Sequence, residues 1–238
     1  MNGGVAVALE DRDPCYDLRV EGIRLTCDWA GCLFVPDEET LIVSDLHLEK
    51  GSSYARRGQH LPPYDTRQTL TLLAHRLAVW QPRRVICLGD SFHDATGHER
   101  LSEPCRLALT AMMKGRDWVW IEGNHDPLPP VTLGGDCAHT IELGPLTLCH
   151  EPQRGLRKGE IAGHLHPSGK IVRRSRSVRR PCFVTDGIRL IMPFFGAYTG
   201  GLNIRDRAFD GLFDQERMSA VLLGRQRVFH IAARFLVA

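Results

Sequence analysis

The hydrophobic pattern changes period along the chain. From Asp17 to Leu25 apolar and polar residues alternate, as in a strand with one buried face. Ala30 to Val35 predicts a second short strand before Pro36. Three later runs, Thr40–Val43, Arg84–Leu88 and Trp118–Ile121, are apolar almost throughout, the pattern of strands covered on both faces. Between the first two the period lengthens. Leu70, Leu73, Leu77 and Trp80 form one stripe at helical spacing, predicting a helix over Asp65–Trp80 that Pro82 ends. A second amphipathic helix is expected over Glu99–Lys114, stopped by Gly115. Residues 48–63, with Gly51, Gly58 and Pro62-Pro63, read as loop.

Strand, helix, strand, helix, strand is a βαβ rhythm and implies a parallel central sheet. Short strands dominate afterwards, at 146–149, 160–162, 170–178, 181–185, 188–193, 219–223 and 226–233. No repeat, linker or boundary divides the chain, so residues 1–238 are expected to form one domain, with βαβ units on one sheet and hairpins on the other.

Composition narrows the class. A chain of 238 residues, 43% hydrophobic and 24% charged, can bury a real core. No apolar run approaches the ~18 residues of a membrane span. Met1–Ala6 has neither a basic nor a long apolar region, so no signal peptide is expected. The eight cysteines include no CxxC pair and read as reduced thiols of a cytoplasmic protein. Charge is uneven. Residues 1–150 hold 14 Lys and Arg against 21 Asp and Glu, and residues 151–238 hold 16 against 7. That asymmetry suggests a polyanion-facing surface in the second half, or simply a solvated basic face.

The chemistry lies at strand ends. Thr40–Val43 runs into Ser44-Asp45-Leu46-His47, Arg84–Leu88 into Gly89-Asp90, and Trp118–Ile121 into Gly123-Asn124-His125-Asp126. Leu146–Cys149 runs into His150, and Glu160–Ala162 into Gly163-His164-Leu165-His166. Carboxylate, amide and imidazole without thiolate suit divalent Mn, Fe or Zn. Asp45, His47, Asp90, Asn124, His150, His164 and His166 are too many for one ion, but two ions ~3.5–4 Å apart with one bridging carboxylate would use them all. His93 and Asp94 either support these ligands or are ordinary loop residues.

D-x-H, G-D, G-N-H-D, H and G-H-x-H in this order resemble the calcineurin-like metallophosphoesterases. The resemblance implies a four-layer α-β-β-α sandwich, two mixed sheets flanked by helices. It assigns Asp45, His47 and His166 to one metal, Asn124, His150 and His164 to a second, and Asp90 to both. It makes His125 the acid that protonates the leaving group or a transition-state contact, oriented by Asp126, with the metals activating water. Mn²⁺ is the expected ion, with Fe or Zn as alternatives.

Substrate is narrowed by two features. Only 26 residues separate Asn124 from His150 and 14 separate His150 from His164, which leaves little room for a cap over the site. Arg173, Arg174, Arg176, Arg179 and Arg180 follow the last ligands and would track a phosphate backbone. Asp45–Ala55, Leu61–Asp65, Arg179–Phe183 and Phe195–Asn203 resemble the bacterial ligase-associated DNA damage response endonucleases. That resemblance implies a manganese-dependent DNA phosphoesterase linked with an ATP-dependent DNA ligase, a helicase and an exonuclease-like protein. A phosphodiesterase or phosphatase for small nucleotides or cyclic phosphates is the alternative enzyme, and an idle scaffold of the same fold is the alternative from another class. The segment Gly196–Asn203 reads as a plain tight loop rather than a turn at the site.

Overall fold

The computed structural model describes residues 14–59, 61–62, 64–128, 131–173 and 176–238. The start of the chain, His60, Pro63 and Arg174 therefore lie outside the described residues, as does the expectation of no signal peptide.

The first sheet holds β1 (Cys15–Val20), β2 (Ile23–Asp28), β3 (Leu33–Val35) and β4 (Thr40–Val43), then β5 (Arg84–Leu88), β6 (Asp117–Ile121) and β7 (Asp136–Ala138), in that spatial order. β1 to β4 form an antiparallel meander, and β4 to β7 run parallel. The crossovers carry α1 (Lys50–Arg56), α2 (Asp65–Trp80) and α3 (Glu103–Met113). The alternating stretch expected as one strand is a hairpin. Glu21 and Gly22 take φ of 47° and 84°, a left-handed pair that turns the chain while the alternation continues on either side.

The second sheet holds β8 (Thr140–Leu143), β9 (Leu146–Cys149), β10 (Glu160–Ala162), β11 (Pro167–Arg173), β12 (Arg176–Thr185), β13 (Leu190–Ile191), β14 (Leu202–Asn203), β15 (Ser219–Leu223) and β16 (Val228–Ala232). β9, β10 and β13 are parallel neighbours, and β11 and β12 form a long antiparallel hairpin. The expected strands 170–178 and 181–185 are divided differently: Arg173 pairs with Arg176, and β12 runs unbroken through 179–180 to Thr185, with Pro181 opposite Ser168.

Two-sided burial explains the apolar runs. Ile42, Ile86, Leu88, Val119 and Ile121 pack between the sheets against Leu148, Ile161, Phe183, Leu190 and Val221. Their neighbours Leu41, Val43, Val85, Cys87, Trp118 and Trp120 point the other way, onto Leu70, Leu73 and Leu77 of α2 and Leu109 of α3. The outer face of the second sheet is covered by Ile204, Phe209, Leu212, Phe213 and Met218. The four layers thus exist, but among the described residues α-helices flank only the first sheet. Over the second, a segment with a 3-10 turn at Arg207–Phe209 does the covering. All eight cysteines are free thiols. No helix of the described residues is long and apolar enough to cross a membrane.

One buried ion pair ties α2 to the sheet. Arg76 Nη1 donates to Asp28 Oδ2 at 2.9 Å, and Trp80 Nε1 and the Ala30 N–H donate to the same carboxylate. Asp28 has no exposure. Breaking such a pair from one side leaves an uncompensated buried charge, which costs about 3–5 kcal/mol. Arg76→Ala is therefore expected to lower unfolding stability by about 3 kcal/mol in urea titration. A loss under ~1 kcal/mol would mean that the Trp80 and Ala30 contacts suffice.

Candidate metal centre

The ligand-type residues follow the C-terminal ends of parallel strands. Asp45 and His47 follow β4, Asp90 follows β5, and Asn124 and His125 follow β6; His150 follows β9, and His164 and His166 follow β10. Open sheets place their sites at such ends. Backbone hydrogen bonds knit the loops: His47 N to Asp90 O at 2.9 Å, Gly163 N to His150 O at 2.9 Å, Gly196 N to Asp45 O at 3.1 Å. The loops lie so close that a Cβ on Gly123 would overlap the Asp90 amide, and one on Gly163 would overlap the Ser44 hydroxyl. Glycine therefore opens both motifs because no side chain fits there.

Asp45, His47, Asp90, His164 and His166 have φ of 54°, 43°, 47°, 65° and 46°. This left-handed backbone costs roughly 1–2 kcal/mol per residue for ordinary side chains. Asp and His are among the residues that tolerate it best.

The donors fall into two groups. In the first, His166 Nε2 is 3.0 Å from Asp45 Oδ1 and 3.4 Å from His47 Nε2. In the second, Asn124 Oδ1 is 3.0 Å from His150 Nε2 and 2.9 Å from His164 Nδ1. Asp90 stands between them, with Oδ2 3.9 Å from His47 Nε2 and Oδ1 3.4 Å from His150 Nε2. The ring orientations are set by main-chain carbonyls. His150 Nδ1 donates to Leu88 O at 3.0 Å, and His166 Nδ1 donates to Gly200 O at 3.0 Å. Their Nε2 atoms are thereby turned toward the Asp90 and Asp45 carboxylates, a position that a proton fills in the metal-free protein and that a cation would fill in its place.

Electrostatics agree with that need. Burial would raise the Asp45 carboxyl, but the His166 hydrogen bond and the imidazoles around it hold it at about 2. Burial lowers His47 to about 3, so its ring is neutral and able to donate a lone pair. His150 is lifted to about 9: burial opposes its charge, but the Asp90 hydrogen bond and the charge of Asp45 prevail. Two buried carboxylates draw positive charge into this pocket, and divalent cations are what the donor set fits. Asp45, His47 and His166, and Asp90, His150 and His164, are each close enough to hold a metal ion, and His47, His93 and His125 form a third such group.

His125 faces the same pocket. Its Nε2 is 3.9 Å from Asp90 Oδ2, and its Nδ1 donates to the His93 carbonyl at 2.9 Å. Asp126 does not orient that ring. It is buried under the Asp90 loop, where Oδ2 accepts the Phe92 N–H at 3.0 Å. Burial raises its carboxyl to about 7. His93, left open by the sequence, stacks on His125 with ring centroids 5.2 Å apart and meets His47 edge-on at 5.5 Å. Asp94 turns away to a bidentate pair with Arg100.

The Gly196–Asn203 segment is not a plain loop. It donates Gly196 N–H to the Asp45 carbonyl and offers Gly200 O to His166. Sequence cannot show this, because the contact is made by main-chain atoms. The arginines do not form a single strip either. Strand alternation puts Arg173, Arg176 and Arg180 on one face of the β11–β12 hairpin and Arg179 on the other. At ~3.3 Å per residue, Arg173 lies roughly 23 Å along the strand from His166.

A model of the calcineurin-like phosphoesterases matches residues 39–190. Among solved structures, a Pseudomonas putida nuclease, MPE, is similar over 91% of this chain and 100% of its own, at 28% identity and a TM-score of 0.70. Yfce, a phosphoesterase from E. coli, aligns with 81% of this chain and 98% of its own, at 14% identity and a TM-score of 0.40. No curated protein matches the chain significantly.

Proposed function

Because the chain belongs to the calcineurin-like phosphoesterase family, we propose that it is a two-metal phosphodiesterase that cuts DNA. The observation that carries this reading is Asp90, whose two carboxylate oxygens face separate donor groups. Asp45, His47 and His166 would hold one cation, and Asn124, His150 and His164 the other, with Asp90 shared. Divalent cations there supply charge stabilisation at the phosphate and a water of lowered pKa. The oxygen and nitrogen donors favour Mn²⁺, with Fe or Zn as alternatives. His125, tethered through its Nδ1–H, turns Nε2 to the pocket, and its imidazolium form would pass the Nε2 proton to the leaving oxygen. Asp126 serves as a positioning residue through the Phe92 amide.

DNA as substrate is supported by the likeness to the Pseudomonas putida nuclease and by the exposed arginines of the hairpin. Arg173, Arg176 and Arg180 are assigned to the phosphate backbone, with Arg174 between them in sequence. Changing Arg173, Arg176 and Arg180 to Gln is expected to lower the log–log salt slope of single-stranded DNA binding by about 2, at ~0.7 per contact. Hydrolysis of a bis-aryl phosphodiester should be unchanged; equal loss of both activities would make the hairpin structural. Free thiols support a reducing, cytoplasmic setting. The ligase, helicase and exonuclease-like partners belong to the same proposal, and co-purification with each from cells tests them.

The division of the arginines between two faces favours a second reading, a phosphodiesterase for small nucleotides. Closed circular single-stranded DNA separates the two. Cutting by metal-stripped protein after Mn²⁺ addition, lost in Asp90→Ala, supports an endonuclease. Hydrolysis of a 2′,3′-cyclic nucleotide with no cutting of DNA circles or ends supports the small substrate.

A further inference from the structure

Arg179 differs from the other basic residues of the hairpin. Its Nε donates to Ser168 Oγ at 2.7 Å, and its Nη2 donates to the Gly201 carbonyl. Ser168 Oγ in turn donates to Leu202 O at 2.9 Å, and Leu202 N–H donates to His166 O at 3.0 Å. The segment so held is the one whose Gly200 carbonyl fixes His166 Nδ1. Two adjacent glycines have no side chains to pack and lose the most freedom on ordering, so contacts from outside must define their conformation. A guanidinium suits that task. Its planar fork reaches a hydroxyl on β11 and a carbonyl on the glycine segment at once. The geometry is ordinary for the hairpin, since Arg179 is diagonal to Ser168 across the β11–β12 ladder.

We propose that Arg179 is a positioning residue for His166, acting through Ser168 and the Gly200–Gly201 carbonyls, and is not a contact to the DNA backbone. The inference rests on the reading that His166 holds a metal ion. Hydrogen-bond partners of metal-ligating histidines typically contribute 10–100-fold in metal affinity. Arg179 stands one bond further out, through the carbonyl segment that supplies such a partner.

The test is calorimetric Mn²⁺ titration of the metal-stripped full chain, beside salt-dependent binding of single-stranded DNA in the absence of metal. Arg179→Ala should weaken Mn²⁺ binding by about tenfold or more and leave the DNA salt slope unchanged. Arg179→Lys, which keeps the charge and loses the fork, should weaken Mn²⁺ binding as well. Ser168→Ala keeps the guanidinium and removes one anchor, so it should move Mn²⁺ affinity in the same direction without touching charge. It also serves if Arg179→Ala does not fold. Unchanged Mn²⁺ affinity in these variants, with a salt slope lower by ~0.7 in Arg179→Ala, overturns the proposal and returns Arg179 to the phosphate contacts. His166→Ala is the separating control. If it leaves Mn²⁺ affinity intact, the metal assignment itself has failed; if it abolishes a site while Arg179→Ala does nothing, only the positioning role has failed.

Discussion

Asp90→Asn is expected to lower hydrolysis of a bis-aryl phosphodiester by about 10³-fold or more at saturating Mn²⁺. The substitution is nearly isosteric, and an Oδ1 remains to accept the His125 amide, 2.9 Å away in the parent. What is lost is the charge and the second oxygen that faces the His47 group. Charge stabilisation by a bound cation is worth several kcal/mol, and each ~1.4 kcal/mol is tenfold in rate. The same change removes a carboxylate charge that helps to hold His150 protonated, so proton release from His150 should move to lower pH in the metal-free protein. Steady-state kinetics with metal content measured in parallel checks the first effect. Activity within tenfold of the parent would show that Asp90 is not shared between two ions.

His125→Ala is expected to discriminate between leaving groups. A general acid contributes about 10²–10⁴-fold where the leaving oxygen needs a proton, and little where it does not. DNA cleavage should therefore fall by about that factor, while hydrolysis of an activated aryl diester stays within a few-fold. The ring is suited to the role because its tether is a backbone carbonyl, which fixes orientation without competing for Nε2. Equal losses on both substrates would assign His125 to charge or metal geometry instead.

The grouping of the candidate ligands is legible in the sequence. They follow apolar runs, and those runs are apolar because both faces of each strand are packed, as Leu41 and Ile42 show by facing opposite layers. What escaped the sequence is held by tertiary contacts. α1 has few strong helix formers and no side-chain cap; the Glu49 amide just before it donates to Thr66 Oγ1 and its Gly51 amide to Asp65 Oδ2, both on α2. The division between β11 and β12 is not legible because residues 176–180 are all exposed and show no alternation of apolar and polar positions. Asp126 sits beside His125 in sequence, yet its carboxylate lies buried under the Asp90 loop and accepts the Phe92 amide. Leu88 O, His93 O and Gly200 O orient three imidazoles, and a carbonyl leaves no mark on residue identity.

The left-handed backbone at Asp45, His47, Asp90, His164 and His166 is of the kind that glycine adopts without steric cost. Glycine at any one of them would relieve roughly 1 kcal/mol of steric strain before its own entropy loss is counted. That entropy loss is of similar size, so the backbone is nearly indifferent to glycine there, and what glycine would forfeit is the side-chain contacts, such as those by which Asp45 and Asp90 accept the His164 and His125 amides.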